Sequence, residues 1–324
     1  MPQHSHQTDR AVWFYRDYRG FSGGHLVHAW YYRFTREAPG FEPILCFSAQ
    51  SLPGADNPWA IDPQHSRRRW LPSSGDVCFV AGLDWQHVAP RGRIDAQNPV
   101  INLIQGFGHA ETGDPRWRFL DRRAIRLCVS AGVADAIRAT GRVEGPVLVI
   151  ENGTDIERLP DTEFDDKVER DVADSILIVG YKNAALAGAV AEQIARHGIE
   201  CHLVGEQMPR QAFLDHLRGA TMVVCCPLPE EGFYLPALEA MALGCAVVVP
   251  VAGGNAAYCR DGDNCAICDY DPSSIVAGVL RLRSLPPDRK RQLLCSARDT
   301  ATSRQPDRIR EKYLDVLRNI DRIW

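Results

Sequence analysis

Two glutamates eight positions apart, Glu231 and Glu239, bracket the run Gly232-Phe233-Tyr234-Leu235-Pro236-Ala237-Leu238, between apolar stretches at 221–226 and 246–251. Both stretches are short, rich in β-branched residues and without polar alternation, which predicts buried strands of a parallel sheet. Pro236 suits the first turn of a helix, where its missing N–H is no loss, and Gly244 suits a left-handed stop at the far end. The unit reads as strand, loop, short helix, strand, with Glu231 on the loop and Glu239 early in the helix. Free N–H groups at 233–237, pointing out of the carboxyl end of the sheet, favour an anion. Two carboxylates beside an anion site suit a ligand with hydroxyl-rich groups on both sides of a phosphate, the form of a nucleotide-sugar. One carboxylate would accept hydrogen bonds from a sugar and the other from a ribose. The plainer alternative is a solvated acidic loop beside a helix-dipole carboxylate.

Three other places carry chemistry. Gly180-Tyr181-Lys182-Asn183 follows an apolar run at 175–180 and offers Lys182 to neutralise a diphosphate; the rival is a surface lysine at a helix entry. Gly23-Gly24 stands between a strand pattern and a helix pattern, where paired glycines let backbone approach a ligand; His25 follows them, and an ordinary turn is the rival. Gly106-Phe107-Gly108-His109 ends another apolar run, so His109 sits at the carboxyl end of a strand, where ligands bind in open α/β sheets. A histidine bonded within its own loop is the alternative there.

The elements that must position these residues alternate. In the first half, strand patterns fall at 11–15, 41–47, 76–81, 99–105, 124–130 and 147–150, with helices from 23 to 37 and 132 to 140 and a long irregular segment at 49–74. The second half runs strand 175–180, helix 184–197, strand 199–204, helix 209–218, strand 221–226, the motif helix and strand 246–251. Helices from about Gly254 and about Pro272 follow. The tail 307–323 has helical periodicity at Ile309, Tyr313, Val316, Leu317 and Ile320. Alternation of this kind implies parallel sheets covered by helices, and the acidic, loop-like 160–174 reads as the boundary between two domains.

The run from Glu231 to Gly244 resembles the Glu-x7-Glu motif of retaining glycosyltransferases of the GT-B fold, especially the large family 4 (glycosyltransferase group 1). That family usually reads Glu-Gly-Phe-Gly-Leu-Pro-x-x-Glu-Ala-Met-Ala-x-Gly, so Tyr234 departs from it. Gly253-Gly254-Asn255 and Asp261-Gly262-Asp263-Asn264-Cys265 resemble the family's downstream pattern, and Glu151-Asn152-Gly153-Thr154-Asp155 its interdomain Pro-Asn-Gly-Val-Asp. The match is specific over about 146–270.

The resemblance implies an α/β fold of two Rossmann-like domains facing across a cleft. Residues 1–158 would bind the acceptor and 159–306 the nucleotide-sugar, with the helix at 307–324 returning to the first domain. It implies transfer, with retention, from a nucleoside-diphosphate sugar to a saccharide or lipid-linked acceptor, in bacterial surface glycan synthesis by the family's habit. Attack from the front face, with a donor phosphate oxygen taking the acceptor's proton, needs no protein nucleophile. On this reading Glu231 and His109 face the transferred sugar, Lys182 the diphosphate and Glu239 the ribose. Gly180, Gly232, Phe233, Tyr234 and Leu235 line the donor, and Gly23, Gly24 and His25 lie beside the reaction centre. Tyr181 stands where the family commonly has arginine. The nucleotide-sugar is substrate, with no cofactor expected, and no Asp-x-Asp motif is placed to hold a metal. An epimerase or phosphorylase on the same architecture, or an inactive nucleotide-sugar-binding subunit, are the alternatives.

The totals agree with a two-domain globular chain: 324 residues, 45% hydrophobic, 24% charged. With Lys+Arg 37 against Asp+Glu 41 there is no field for a polyanion, so nucleic acid is not an expected partner. No apolar run approaches the roughly 18–20 residues of a membrane span, and residues 1–10 are too polar for a signal peptide. Eleven scattered cysteines point to a reducing cytoplasm. Cys259, Cys265 and Cys268 lack a fourth ligand at zinc spacing. Peripheral contact with a membrane, through 49–74 with its Arg67-Arg68-Arg69 or through the first-domain helices, stays open, and nothing in the sequence specifies an oligomeric state.

Overall fold

The computed structural model describes residues 9–52, 54, 56–59, 65–88, 94–170 and 175–324. The polar opening, part of the 49–74 segment and the end of the 160–174 boundary therefore lie outside the described residues. The chain divides into two compact units, one of Met1–Glu151 with Asp307–Trp324 and one of Asn152–Pro306. The division falls at Glu151 instead of the expected 158, because Asn152, Gly153 and Thr154 already pack with the second unit. The Thr154 N–H donates to Arg304 O at 2.9 Å, and a Cβ on Gly153 would lie 1.9 Å from the same oxygen, so only glycine fits.

The first unit is built on strands β1 (Arg10–Arg16), then helix α1 (Gly23–Arg36), β2 (Phe41–Phe47), β3 (Ser66–Arg67), β4 (Val77–Ala81), helix α2 (Trp85–Val88), β5 (Val100–Ile104), β6 (Ile125–Cys128), helix α3 (Ala131–Ala139) and β7 (Val147–Val149). The strands form a parallel sheet in the order β3-β2-β1-β4-β5-β6-β7. Strand β1 shows why both faces are apolar: Phe14 packs on Tyr32 and His28 of α1, while its neighbours Trp13 and Tyr15 meet Trp70 on the other side. Ser22 caps α1, and Ser130 caps α3 by accepting from Val133 N. Arg126, fully buried in β6, was not foreseeable as an inward residue. Its Nη1 donates to Asn102 Oδ1 at 2.7 Å and its Nη2 to the carbonyls of Phe119 and Leu120, both at 3.0 Å.

The second unit runs α4 (Asp161–Glu169), β8 (Ile176–Val179), α5 (Ala184–Arg196), β9 (Cys201–Val204), α6 (Arg210–Gly219), β10 (Met222–Cys225), α7 (Leu235–Ala242), β11 (Ala246–Pro250), β12 (Ala266–Cys268), α8 (Pro272–Arg283) and α9 (Pro287–Thr302). Its five parallel strands are ordered β12-β11-β10-β8-β9. Two expectations are corrected here. The boundary segment is not a loop over 161–169: Asp161 and Glu163 favour a helix start, and Phe164, Lys167 and Val168 bury one face. Lys167 is 6% exposed, and its Nζ donates to Leu243 O at 2.7 Å, Arg218 O at 3.1 Å and Leu217 O at 3.4 Å, closing the C-terminal ends of α6 and α7. The expected helix from Gly254 is a run of turns over 253–258, for a reason that belongs to the site below.

The tail forms α10 (Pro306–Arg318) and α11 (Ile320–Ile323) and packs on the first unit. Tyr313 meets Tyr31 edge-on at 4.9 Å and shares a 2.8 Å hydrogen bond with Thr35, while Arg310 pairs with Glu37 at 2.8 Å. Among the described residues no helix is long and apolar enough to cross a membrane.

Candidate functional site

In the second unit β8 pairs with both β9 and β10, so the chain leaves β8 in one direction and returns on its other side. The carboxyl ends of β8 and β10 therefore frame the place where open α/β sheets bind ligands. The residues following β8 and β10 are those singled out by type. Lys182 Nζ lies 2.5 Å from Glu231 Oε1 and 5.6 Å from the centroid of the Tyr234 ring, so the loop lysine and the loop glutamate meet across the switch point. Gly180 follows β8 where a Cβ would lie 2.2 Å from Ala187 Cβ, so its lack of a side chain lets α5 lie tight against the sheet.

Helix α7 starts as the spacing predicts. Tyr234 is its N-terminal flanking residue, Pro236 stands in its first turn, and Gly244 closes it at φ 70°. Gly232, Phe233, Tyr234 and Leu235 are all buried. The turns at 253–258 form the bed of this loop. A Cβ on Gly254 would lie 2.5 Å from Phe233 N and 2.6 Å from Glu231 O, the Phe233 and Tyr258 rings meet at 5.1 Å, and the Tyr258 hydroxyl donates to Tyr234 O. A helix here would push side chains into that backbone, which is why the segment turns instead. Asn264 Nδ2 donates to Tyr258 O at 2.8 Å, and Asp261 holds both Arg281 and Ile267 N, so the downstream motif is scaffolding for the loop. Gly254→Ala is expected to displace the Glu231–Phe233 backbone and weaken nucleoside-diphosphate binding by roughly tenfold with the fold intact. Calorimetric titration beside a melting curve checks this; unchanged affinity would show that the close packing is dispensable.

Glu239, 2% exposed on α7, does not share the Lys182 pair. It accepts from Arg210 Nη2 at 2.5 Å, and Asp155 Oδ1 stands 4.0 Å from the same nitrogen. Tyr181 packs edge-on against Phe213 at 6.1 Å, and burial with the nearby Glu239 and Glu231 pushes its phenol up, so it stays neutral. Arg210 was missed by sequence reasoning, since it belongs to no motif and its one signal was a cation opening a helix; Asp155 was quoted only as the end of the Glu151–Asp155 match, with no role.

In the first unit β1 pairs with β2 and β4, giving a second switch point. Gly23 and Gly24 open α1 there, and Gln105 Nε2 donates to Gly24 O at 3.1 Å, so the close approach the paired glycines permit is to Gln105. His25 lies edge-on to Tyr18 at 5.1 Å and Trp59 at 5.6 Å, and burial, with Arg16 nearby, lowers its pKa to about 3. His109 sits on a 3-10 turn after β5 and is 3% exposed; burial first and Arg116 second lower its pKa to about 3. Both histidines are neutral at neutral pH, available for hydrogen bonding and not as cations. Arg16 and Asp84, an ion pair at 2.8 Å across the same switch point, were not singled out by sequence. Among the described residues no group of three or more His, Cys, Asp or Glu is placed to hold a metal ion.

Comparison with known proteins bears on the fold and on the family likeness. The family model "Glycosyl transferases group 1" matches residues 162–284. No curated protein matches the sequence at a significant level. Among solved structures, Anabaena Alr3699/HepE in complex with UDP-glucose is similar, with TM-score 0.71 and 16% identity, covering 95% of this chain and 99% of that one. Sucrose-phosphate synthase from Thermosynechococcus elongatus has TM-score 0.70 and 11% identity, covering 96% and 99%. A glycosyltransferase from Rickettsia africae ESF-5 has TM-score 0.63 and 11% identity, covering 96% and 98%. At these identities the structural likeness speaks for fold. Residues 162–284, within the second unit, thus resemble the glycosyltransferase group 1 family, on a chain with the GT-B fold.

Proposed function

We propose that the chain transfers a sugar, with retention, from a nucleoside-diphosphate sugar to a saccharide or lipid-linked acceptor. The observation that carries this reading is the meeting of Lys182 and Glu231 at the switch point, beside the start of α7. The Lys182–Glu231 pair is partly open to water, at 34% and 15% side-chain exposure, and such pairs contribute only about 0–1 kcal/mol. A diphosphate therefore displaces Glu231 from Lys182 at little cost. Lys182 and the first N–H groups of α7 then face the β-phosphate, where negative charge builds as the bond to the sugar breaks. The freed Glu231 accepts from hydroxyls of the transferred sugar, and Glu239 accepts from the ribose. The neutral His109 serves as a hydrogen-bonding group, without acid–base work at neutral pH. No side chain acts as nucleophile; the donor's own phosphate oxygen takes the acceptor's proton.

A thermal-shift panel of UDP-, GDP-, dTDP- and ADP-sugars, with and without magnesium, tests the reading. Ligand at 100 times its dissociation constant adds about 2.7 kcal/mol, a rise of several degrees for units of this size. A rise with one base, indifferent to magnesium, is expected. No rise with any of the four would overturn the donor site.

A further inference from the structure

Arg210 is placed where its own helix does not want it. It opens α6 directly after Pro209, and no acidic residue stands in that first turn to offset its charge at the positive end of the helix. Its side chain instead crosses to α7, 19% exposed, and holds Glu239 Oε1 at 2.5 Å, with Asp155 at 4.0 Å. An ion pair this far from water gives up the hydration of both charges, and well-packed apolar residues would stabilise the spot at least as well. Stability does not account for it.

Two further observations tie the pair to the ligand site. Phe213, three residues on along α6, carries the edge of the Tyr181 ring, so one face of α6 supports both the loop after β8 and the carboxylate on α7. Glu231 pairs with Lys182 there, and Glu239 and Asp155 both lie against Arg210. Without Arg210, Glu239 and Asp155 would lose the cation beside them, and a diphosphate would enter against both charges.

We propose that Arg210 is a positioning and specificity residue of the donor site. It fixes one oxygen of Glu239, turns the other to the ribose hydroxyls, and offsets the charge of Glu239 and Asp155 where the nucleotide enters. The inference rests on the donor-site reading above and adds the group that gives Glu239 its geometry. A guanidinium suits this task because its planar fork fixes a carboxylate's orientation, which an ammonium does not.

The test is calorimetric titration of the full chain with UDP, GDP and ADP, each beside its 2′,3′-dideoxy counterpart. Wild type is compared with Arg210→Met, Arg210→Lys, Glu239→Gln and the Arg210→Met/Glu239→Gln double variant, with a melting curve for each. Wild type is expected to prefer the ribose form of the nucleotide that binds. Arg210→Met should weaken that form by roughly tenfold or more and bring the ratio between the two forms close to one. The double variant should be no weaker than the worse single variant, the mark of a coupled pair. Arg210→Lys, which keeps the charge and guards against misfolding of the Met variant, should recover affinity without the full ribose preference. A wild-type ratio in Arg210→Met, or independent addition of the two losses, overturns the inference while leaving the donor site standing. If wild type binds none of the three diphosphates, the donor-site reading falls and the inference with it.

Discussion

Glu231→Gln is expected to lower kcat by on the order of 100-fold while leaving nucleoside-diphosphate affinity unchanged or a few-fold tighter. The asymmetry follows from the position of the carboxylate. It sits on the loop and not on α7, within 2.5 Å of Lys182, so its charge competes with a diphosphate for that lysine. Removing the charge frees Lys182 and relieves repulsion of the incoming anion. The same change removes the acceptor that holds the sugar hydroxyls, and that loss is felt in turnover. Steady-state kinetics and calorimetric titration on the same preparation separate the two. A fall in nucleotide affinity with kcat intact would mean that Glu231 holds the nucleotide, and the roles of the two glutamates would have to be exchanged.

Lys167→Met carries the largest expected effect on stability, a loss of about 3 kcal/mol from the second unit. The Lys167 ammonium is buried and donates to carbonyls at the ends of two helices, with Cys245 Sγ at 3.3 Å. Bonds from a charged donor contribute about 1.5–3 kcal/mol each, and methionine leaves the Leu217, Arg218 and Leu243 carbonyls without this donor. For a unit of this size the loss corresponds to a melting point lower by roughly 6–12 °C. Scanning calorimetry of the full chain reads it directly; an unshifted transition would show that water or local rearrangement replaces the ammonium.

These two residues also mark the limit of what sequence shows. Glu231 was legible because a loop glutamate, Pro236 and Gly244 stand at fixed offsets between two apolar strands, and each has a local cause. The parallel sheets were legible for the same reason, since uninterrupted β-branched runs have few other uses. Lys167 was hidden because its partners lie about fifty and seventy-five positions away, and an acidic stretch looks like loop when its one buried face is Phe164, Lys167 and Val168. The segment from Gly254 went wrong in the opposite direction. Its residues are compatible with a helix, but the backbone of residues 231–233 lies against Gly254 and leaves no room for one. Arg210 belongs to a third kind, a pairing between two helices whose partners no local pattern connects.

The tail that returns to the first unit has a consequence for synthesis. Domains generally fold as they emerge, the earlier one first. Here the second unit is whole once Pro306 has left the ribosome, with Thr154 and Arg304 already bonded to each other. The first unit is still missing α10, and until Tyr313 arrives its Tyr31 and Thr35 lack their partner. The unit that is begun first is therefore finished last. A chain cut after Pro306 would keep every residue of the second unit and leave Tyr31 and Thr35 of the first without Tyr313.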